Sequence, residues 1–484
     1  MATRQRLVVL GTFVHCRTRQ ELDFFHNAAL GVDADGKIAG FVKDRGDVGA
    51  ARDELLRTLG WDGDEVQVVQ AEEGQFFFPG FIDTHIHASQ YANAGIFGKS
   101  TLMDWLGTYT FPLEASLSDL SKARRVYSTC IRRTLSHGTT TAAYFATIDV
   151  AATNLLADLC LAMGQRAFVG RVCMDARDTS PTYYVDESPA AGAAATMRTV
   201  EHMRGIDPRG ELVTPILTPR FAPTCTAEGM RALAAVQRAT GLPVQTHVSE
   251  NADEIALVAA RFPGAASYVG VYDEHGLLTP RTILAHGVHL SGGEAALVAA
   301  RGAKVAHCPC SNTALASGVA RVRWLWEQGV TVGLGTDMSG GYSPSMLDAA
   351  RQAAMVSRYV AMGADNDAKD WAKLTVEEVL YLATRGGAEV VGLEGRIGGF
   401  EVGKDWDAQL VGLHAVGPAG LGGDGLDGDL NDDGLEDASA AADGNVDVFG
   451  WETWEDRVAK WLFNGDDRNT KRVWVRGRLV HSRR

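Results

Sequence analysis

The segment from Pro79 to Gln90 carries two histidines separated by a single residue. Within it, Asp83, His85 and His87 alternate with apolar or small residues, which is typical of a β-strand. Side chains two residues apart point to one face of a strand, so the imidazoles of His85 and His87 can reach the same metal ion. Neutral imidazole is a common ligand of zinc and other transition metals. The pattern indicates a metal site, and two unrelated histidines are the alternative.

Further polar residues stand where short apolar, β-branched runs end. His247, His286 and Asp337 each terminate such a run. Strands buried on both faces of a parallel sheet read as continuous apolar runs, and in closed α/β barrels the catalytic groups lie where strands end. We therefore expect these three side chains to lie near His85 and His87.

Apolar runs of this kind recur eight times, at 77–83, 139–145, 166–174, 212–219, 243–248, 281–286, 304–308 and 330–335. Most intervals hold apolar residues at three- and four-residue spacing, as in Ala227–Ala239, Glu294–Arg301 and Met346–Met362, which is typical of helices. Alternating strands and helices predict an α/β protein with a TIM-type (β/α)8 barrel. Eight core strands of another α/β sheet are the alternative.

Both ends of the chain add β-like sequence to the predicted barrel. The 484 residues exceed the roughly 250 of a bare barrel. We predict a small β-rich side domain built from residues 1–75 and 401–484, with the barrel formed by residues 76–400. Its strand-like runs are Arg6–Val14, Lys37–Val42, Val66–Val69, Asp407–Leu413 and Arg472–Val480.

One segment of the C-terminal part differs in composition. Residues near 418–447 are rich in Gly, Asp and Ala and contain no Lys or Arg. Such a segment has little apolar surface to bury, so the composition predicts a mobile acidic loop.

Charge and cysteine content limit the class of protein. The formal net charge of −14 opposes a general affinity for nucleic-acid backbones or anionic membranes. A membrane span is not expected, because the sequence lacks a run of about 18 apolar residues. The seven cysteines are scattered and odd in number, which suits a reducing cytosol better than a disulfide framework. We predict a cytoplasmic enzyme with a small-molecule substrate.

Taken together, these residues resemble the metal-dependent amidohydrolase superfamily, and within it the guanine deaminases. The similarity runs from about Phe78 to Gly403 and resumes at Gly465–Asn469. The deaminase part of the resemblance depends on Ser89-Gln90, Arg220-Phe221 and Ser249-Glu250. The further motifs are Thr218-Pro219, His307-Cys308-Pro309 with Ser311-Asn312, and Gly335-Thr336-Asp337 followed by Gly340-Gly341-Tyr342-Ser343.

The resemblance implies a metal centre with an open position for water. Its ligands would be His85, His87, His247 and Asp337, a set that suits zinc, with iron as the alternative. Binuclear relatives carry a bridging lysine on the fourth strand, but residues 212–218 contain none. One Zn²⁺ per chain is therefore expected.

The resemblance also implies hydrolytic deamination of guanine to xanthine and ammonia by metal-bound hydroxide. Glu250, just after His247, would carry the proton from the water to the purine and the departing amine. His286 and Asp337 would complete the catalytic groups. The alternatives are an exposed loop acid for Glu250 and a core histidine for His286.

Four further residues are expected to contact the substrate, together with Glu250, His286 and Asp337. Arg220 can donate to the purine's carbonyl oxygen, which guanine has and adenine lacks. Gln90 can pair with another polar edge, Phe221 can pack on the ring, and Trp105 can close the pocket. The alternatives are an exposed arginine, a solvated glutamine and a core phenylalanine. For Trp105, core packing explains the residue as well as a place in the pocket does.

Two other functions stay open at this point. The chain could be an amidohydrolase that deaminates or dechlorinates another aminated heterocycle, or a catalytically idle binding protein with the same fold. Arg220, Gln90 and an intact ligand set with Glu250 argue against both. The family pattern has an unspecified residue where this chain has Cys310, whose role is open. The resemblance suggests a homodimer.

Overall fold

A computed structural model describes residues 5–365, 369–416 and 444–483. Residues 418–443 of the predicted acidic loop lie outside the described residues. Asp447, at the end of that predicted loop, already belongs to a strand, so the loop ends before this residue.

Strands and helices alternate through the middle of the chain, which makes this an α/β protein as predicted. In chain order, the described strands are β1 (Arg6–Cys16), β2 (Leu22–Val32), β3 (Ile38–Val42), β4 (Val66–Gln70), β5 (Gln75–Pro79), β6 (Phe81–His87), β7 (Thr139–Phe145), β8 (Arg166–Gly170), β9 (Val172–Cys173), β10 (Val213–Pro215), β11 (Thr218–Pro219), β12 (Val244–Val248), β13 (Thr282–His286), β14 (Lys304–His307), β15 (Thr331–Leu334), β16 (Ala408–Gly412), β17 (His414–Ala415), β18 (Asp447–Val448), β19 (Thr470–Val475) and β20 (Arg478–Ser482). The described α-helices are α1 (Val48–Leu59), α2 (Leu102–Trp105), α3 (Phe111–Ser116), α4 (Leu120–Ser136), α5 (Val150–Met163), α6 (Pro189–Ile206), α7 (Ala227–Thr240), α8 (Ala252–Arg261), α9 (Tyr268–Glu274), α10 (Gly292–Arg301), α11 (Pro309–Ala314), α12 (Val322–Glu327), α13 (Met346–Met362), α14 (Lys369–Ala372), α15 (Val376–Ala383), α16 (Arg385–Val391) and α17 (Trp454–Asn464).

The chain divides into two compact units. Unit 1 comprises Met1–Gly80, Ser136–Gly138 and Gly399–Arg484, and unit 2 comprises Phe81–Leu135 and Thr139–Gly398. The sequence pattern predicts boundaries after residues 75 and 400, and it does not predict that Ser136–Gly138 belongs to unit 1.

The run predicted as one strand at 77–83 is in fact two strands. β5 pairs with β1 and β16 in unit 1, whereas β6 pairs with β7 in unit 2. Gly80 separates them, and its N–H donates to the carbonyl oxygen of Asp407 at 3.0 Å. Both strands are buried along nearly their whole length, so a continuous apolar run hides the point where the chain changes sheets.

Unit 1 is built on one mixed sheet, ordered β20-β19-β16-β5-β1-β2-β3, with β4 also paired to β1. All five strand-like runs predicted near the chain ends lie in this sheet. The last of them is a hairpin, β19–β20, with Arg476 and Gly477 at its turn. Their φ angles of 47° and 74° suit the two-residue turn that joins twisted antiparallel strands.

Both faces of the unit 1 sheet are covered. Along β1, Leu7, Val9 and Phe13 face one apolar cluster, which also contains Trp406 and Trp474. The intervening residues Val8 and Leu10 face another cluster, formed with Ala51 and Leu55 of α1. This alternation is the two-residue period of a strand, and it explains why β1 reads as apolar throughout.

Unit 2 contains the strands that the sequence predicts for the barrel. Parallel pairing gives the orders β6-β7-β8-β10, β9-β11 and β12-β13-β14-β15. Leu217, next to β11, forms a parallel bridge with Val244 of β12. Because neighbouring parallel strands end at the same edge of a sheet, residues that follow these strands are brought together.

The helices of unit 2 begin at residues whose side chains cap them. The Thr226 side chain accepts from the Gly229 N–H at the start of α7, and Ser291 with Glu294 forms a capping box at α10. The three helices named from apolar spacing are confirmed as α7, α10 and α13. Among the described residues, no helix is both long and apolar enough to cross a membrane.

Candidate active site

The strand ends of unit 2 bring together the side chains of His85, His87, His247, His286 and Asp337, here called the metal-facing cluster. Nε2 of His85 lies 3.0 Å from Oδ1 of Asp337, and Nε2 of His87 lies 3.3 Å from the same oxygen. Nε2 of His87 lies 3.2 Å from Nε2 of His247. The structure thus assembles every residue that the resemblance assigns to the metal, and it places His286 beside them.

The backbone turns sharply where the strands of the site end. The φ angles are 48° at Ser249, 73° at His286 and 45° at Asp337. Residues other than glycine rarely adopt this left-handed region, and they keep it only where the surrounding structure holds them there. These turns lie at or just after the ends of β12, β13 and β15, where the chain leaves the sheet and the cluster forms.

Asp83 holds two members of the cluster side by side. Its Oδ1 accepts the backbone N–H of Thr336 at 3.0 Å, and its Oδ2 accepts the Thr336 hydroxyl at 2.6 Å. Oδ1 also accepts the backbone N–H of His85 at 3.2 Å. Burial raises the pKa of Asp83 to about 7 in spite of these hydrogen bonds. Asp83 therefore links β6 to the residue before Asp337 and does not itself belong to the cluster.

The spacing of donor atoms in the cluster fits a metal ion. Bonds of about 2.0–2.1 Å in a tetrahedral zinc site put neighbouring donors about 3.3 Å apart, close to the observed 3.0, 3.2 and 3.3 Å. Nε2 of His85 and Nε2 of His286 are buried and make no hydrogen bond within the described parts of the chain. A carboxylate oxygen of Asp337 nevertheless lies 3.0 Å from Nε2 of His85, and one of Glu250 lies 3.4 Å from Nε2 of His286. These atoms are close without pairing directly, which is the arrangement of donor atoms around one ion.

One atom from each of His85, His247, His286 and Asp337 lies within 4.8 Å of the others, so these four residues could also hold the ion. Hydrogen bonds at Nδ1 orient two of the histidines. Nδ1 of His247 lies 2.6 Å from the carbonyl oxygen of Arg220, and Nδ1 of His286 lies 2.9 Å from Oδ1 of Asn312. Because those oxygens can only accept, each Nδ1 carries a proton, and the neutral imidazole of His247 keeps the lone pair of its Nε2 for a metal.

Burial sets the charge of the cluster. It lowers the pKa of His87 to about 4 and the pKa of His85 and His247 below the usual value, so these imidazoles are neutral at pH 7. Burial would raise the pKa of Asp337, but the neighbouring histidines outweigh it and hold that pKa well below its usual range. Neutral imidazoles and an ionised carboxylate are the states in which these side chains bind metals.

Glu250 is the buried carboxyl next to the cluster. Burial, together with the charge of Asp337, raises the pKa of Glu250 to about 8. Its Oε1 accepts the hydroxyl of Ser317 at 3.1 Å, and its Oε2 lies 3.4 Å from Nε2 of His286. The prediction that Glu250 stands at the site is supported by this position, and an exposed loop acid is excluded because only 2% of the residue is accessible.

A second glutamate holds the loop that carries Glu250. Oε2 of Glu254 accepts the backbone N–H of Glu250 at 2.8 Å and that of Asn251 at 3.1 Å. Glu254 also completes a capping box with Asn251 at the start of α8 and accepts the hydroxyl of Tyr268 at 2.7 Å. The backbone on which Glu250 sits is thus fixed by the helix that follows it.

A cavity of ≈ 350 Å³ adjoins the cluster. It combines apolar walls with a few polar groups, as small-molecule sites usually do. The predicted residues Gln90, Trp105, Arg220, Phe221 and Glu250 all line it. The remaining lining residues are Leu102, Leu106, Leu315, His87, His247, His286 and Asp337.

Behind the polar wall of the cavity lies a residue that the sequence does not predict. Glu114 of α3 pairs with Arg220, with Nη1 to Oε2 at 2.6 Å and Nη2 to Oε1 at 3.1 Å. Glu114 also accepts Nε2 of Gln90 at 2.8 Å and the hydroxyl of Tyr184 at 2.7 Å. We call Gln90, Glu114, Tyr184 and Arg220 the recognition cluster.

Electrostatics in the recognition cluster favour two full charges. Burial alone would raise the pKa of Glu114, but Arg220 outweighs burial and lowers it below its usual value. Arg220 also lies over the ring of Phe111, 5.0 Å from its centroid. In the sequence, the available signal was Arg220 itself, because an arginine that directly follows a buried apolar run needs a buried anion as its partner elsewhere in the chain.

Comparisons with known proteins give a consistent result. The amidohydrolase family model matches residues 76–480. A probable guanine deaminase of Schizosaccharomyces pombe is 47% identical over 406 residues, 84% of this chain and 71% of that protein. The guanine deaminase of Homo sapiens is 39% identical over 474 residues, 97% of this chain and 95% of that protein. The structure of guanine deaminase from C. acetobutylicum with bound guanine has a TM-score of 0.82 at 29% identity, covering 98% of this chain and 100% of that chain.

Proposed function

Because the chain belongs to the amidohydrolase family, and within it to the guanine deaminases, we propose that it hydrolyses guanine to xanthine and ammonia. The family membership confirms the resemblance inferred from the sequence motifs. The observation that carries the proposal is one cavity lined both by Gln90 and Arg220 and by Glu250 with His87, His247, His286 and Asp337 of the metal-facing cluster.

We further propose that the parallel strands of unit 2 close into a (β/α)8 barrel and that unit 1 is a β-rich side domain. Two backbone bonds support closure between the first and last strands. The N–H of Asp337 donates to the carbonyl oxygen of His85 at 2.8 Å, and the N–H of His87 donates to the carbonyl oxygen of Met338 at 3.0 Å. The Thr84 hydroxyl also donates to the carbonyl oxygen of Leu334 at 2.9 Å.

The proposed cofactor is one Zn²⁺ per chain, with iron as the alternative. His85, His87, His247 and Asp337 would hold it, and His286 would stand at its open side, because its buried Nε2 also lacks a hydrogen bond within the described residues. When bound, such an ion lowers the pKa of a water molecule from 15.7 towards about 7 and so supplies a nucleophile at neutral pH.

Glu250 is proposed to move the protons. Water adds to the purine carbon that bears the amine, and a carbon–oxygen bond forms. Glu250 takes one water proton and gives it to the adjacent ring nitrogen. It then passes the second proton to the amine, the carbon–nitrogen bond breaks, and ammonia leaves. A carboxyl whose pKa lies near neutral pH both accepts and releases a proton readily, which is what this relay needs.

The pocket walls are proposed to orient the purine. Arg220 and Gln90 would bind the polar edge that carries guanine's carbonyl oxygen. Phe221 and Trp105 would pack against the ring, and both are almost fully buried beside the cavity. His286 and Asp337 would contact the reacting carbon's substituents. A cytoplasmic location and a homodimer remain predictions from the sequence and its resemblance.

The test is ammonia release from a panel of aminated heterocycles by metal-replete protein. We expect turnover of guanine, with far lower kcat/KM for adenine, cytosine and aminotriazines. Preferred release of ammonia or chloride from a triazine would support the alternative of another heterocycle. An absence of turnover in a metal-bound, folded sample would favour the idle binding protein.

A further inference from the structure

Glu114 stands behind the two side chains that face the proposed substrate. Its carboxylate is fully buried and accepts hydrogen bonds from Gln90, Tyr184 and both terminal nitrogens of Arg220. An ionised carboxylate can only accept hydrogen bonds. Each partner of Glu114 must therefore turn a donor towards it, and this fixes what the partner offers elsewhere.

For Gln90 the consequence is a defined amide orientation. One of the two N–H bonds of its Nε2 is committed to Glu114 at 2.8 Å, and this fixes the amide with the carbonyl oxygen Oε1 on the side away from Glu114, where it can accept from a ligand. That oxygen accepts one long bond, from the N–H of Ser339 at 3.4 Å, and a carbonyl oxygen can accept two. Gln90, which lines the cavity, is thereby held as a hydrogen-bond acceptor.

Arg220 is held in the opposite role, as a hydrogen-bond donor. A guanidinium carries five N–H bonds, and the pair with Glu114 uses two of them. Nη1 also donates to the sulfur of Met174 at 4.0 Å, and the remaining N–H bonds are available as donors, since Arg220 lines the same cavity. Glu114 also neutralises its charge, so a neutral ligand can enter without leaving an unpaired buried cation.

We propose that Glu114 is a positioning residue that sets the hydrogen-bond polarity of the pocket, holding Arg220 as donor and Gln90 as acceptor so that the site selects a purine with a C=O beside a ring N–H. Guanine presents that edge at its carbonyl and neighbouring ring N–H. 2,6-Diaminopurine presents the reverse, an amine beside an unprotonated nitrogen. This inference rests on the proposed function and deepens it by naming what sets the specificity.

The test compares kcat/KM for guanine with kcat/KM for 2,6-diaminopurine in wild type and Glu114→Gln. The neutral amide can donate to Gln90, so Gln90 is free to turn and Arg220 loses its partner. We expect kcat/KM for guanine to fall about tenfold to a hundredfold, mainly through KM, while the preference for guanine shrinks by at least about tenfold. Bound metal should be unchanged.

Glu378→Gln is the matched control. Glu378 is also buried and paired with an arginine, Arg323, but neither residue lines the proposed substrate cavity. The control should have a lower melting temperature than wild type and an unchanged ratio of kcat/KM for guanine to kcat/KM for 2,6-diaminopurine. A purely structural role for Glu114 predicts the same outcome in Glu114→Gln, so an unchanged ratio in that variant would overturn the proposal.

Glu114→Asp keeps the proposal testable if Glu114→Gln does not fold. It retains the charge but is one methylene shorter, so it cannot hold Gln90 and Arg220 together. Its ratio of kcat/KM for guanine to kcat/KM for 2,6-diaminopurine should fall below the wild-type ratio, and an unchanged ratio would contradict the proposal. Wild type that releases no ammonia from guanine would instead refute the proposed function, before any Glu114 variant is measured.

Discussion

The two polar groups around the cavity differ in how their hydrogen bonds are satisfied. In the recognition cluster, Glu114 is paired with every other member. In the metal-facing cluster, buried nitrogens of His85 and His286 make no hydrogen bond within the described residues, although oxygens lie close by. The carboxylate of Glu114 is satisfied before any ligand arrives, whereas the metal-facing cluster would be completed by the proposed ion.

This contrast has energetic consequences. Buried polar atoms without a partner cost roughly 1–3 kcal/mol each, so the metal-facing cluster should destabilise the fold until an ion binds. The recognition cluster is already arranged for its ligand, so substrate binding requires little rearrangement there. Changes to the metal-facing cluster should therefore remove metal, turnover and stability together, while changes to the recognition cluster should alter substrate preference.

The largest effect is expected from His85→Ala or Asp337→Ala. Either change removes a predicted ligand, and we expect loss of bound metal with at least about a thousandfold loss of turnover, since metal assistance is worth several kcal/mol. Metal analysis and ammonia release on the same samples measure this. Full metal content with normal turnover would show that the residue is not a ligand.

Glu250→Gln should have the next largest effect. The amide cannot carry the proton, so turnover should fall by about a hundredfold to ten-thousandfold while the metal is retained. Near-normal turnover by metal-replete Glu250→Gln would contradict the assignment. This variant separates proton transfer from ion binding, because it should lose turnover while it keeps the metal.

Arg220→Ala should act mainly on recognition. Hydrogen bonds to charged groups are worth about 1.5–3 kcal/mol, so kcat/KM for guanine should fall roughly tenfold to over a hundredfold. Lysine should rescue only partly, because a point charge cannot reproduce the planar fork that Glu114 holds. An unchanged preference for guanine over 2,6-diaminopurine, with metal intact, would make Arg220 structural.

Trp105→Phe should have the smallest effect. Phenylalanine keeps an aromatic wall beside the cavity but loses the bond from Nε1 to the carbonyl oxygen of Ile96, which is 3.0 Å long. We expect less than about a tenfold rise in KM and about 0.5–1.5 kcal/mol lower stability. Steady-state kinetics and urea unfolding measure the two. A hundredfold loss of kcat would place Trp105 in the chemistry instead.

The two clusters also differ in how visible they are in the sequence. His247, His286 and Asp337 each end an apolar run, and parallel strands bring such ends together, so the sequence predicted that these three residues lie near His85 and His87. Glu114 follows no strand. It lies on the short helix α3, and its role depends on a contact with Arg220, 106 residues away, which no local pattern encodes.

Unit 1 shows the same limit for the fold. The sequence located β1, β3, β4 and β16 from their apolar runs, but it missed β2. Polar His26 and Asn27 interrupt β2, Asn27 has a φ of 44°, and the pairing with β1 shifts register nearby. A bulge places polar residues where alternation would require apolar ones, so the strand pattern is lost.

We propose that one ion completes the metal-facing cluster and that guanine deamination depends on this ion. The decisive experiment strips the protein with a chelator, restores zinc in steps, and measures bound metal and ammonia release from guanine on each sample. We predict that turnover is absent without metal and rises in proportion to it up to about one ion per chain. Guanine turnover in the metal-free protein, or turnover independent of metal content, would show that the reaction does not depend on the ion.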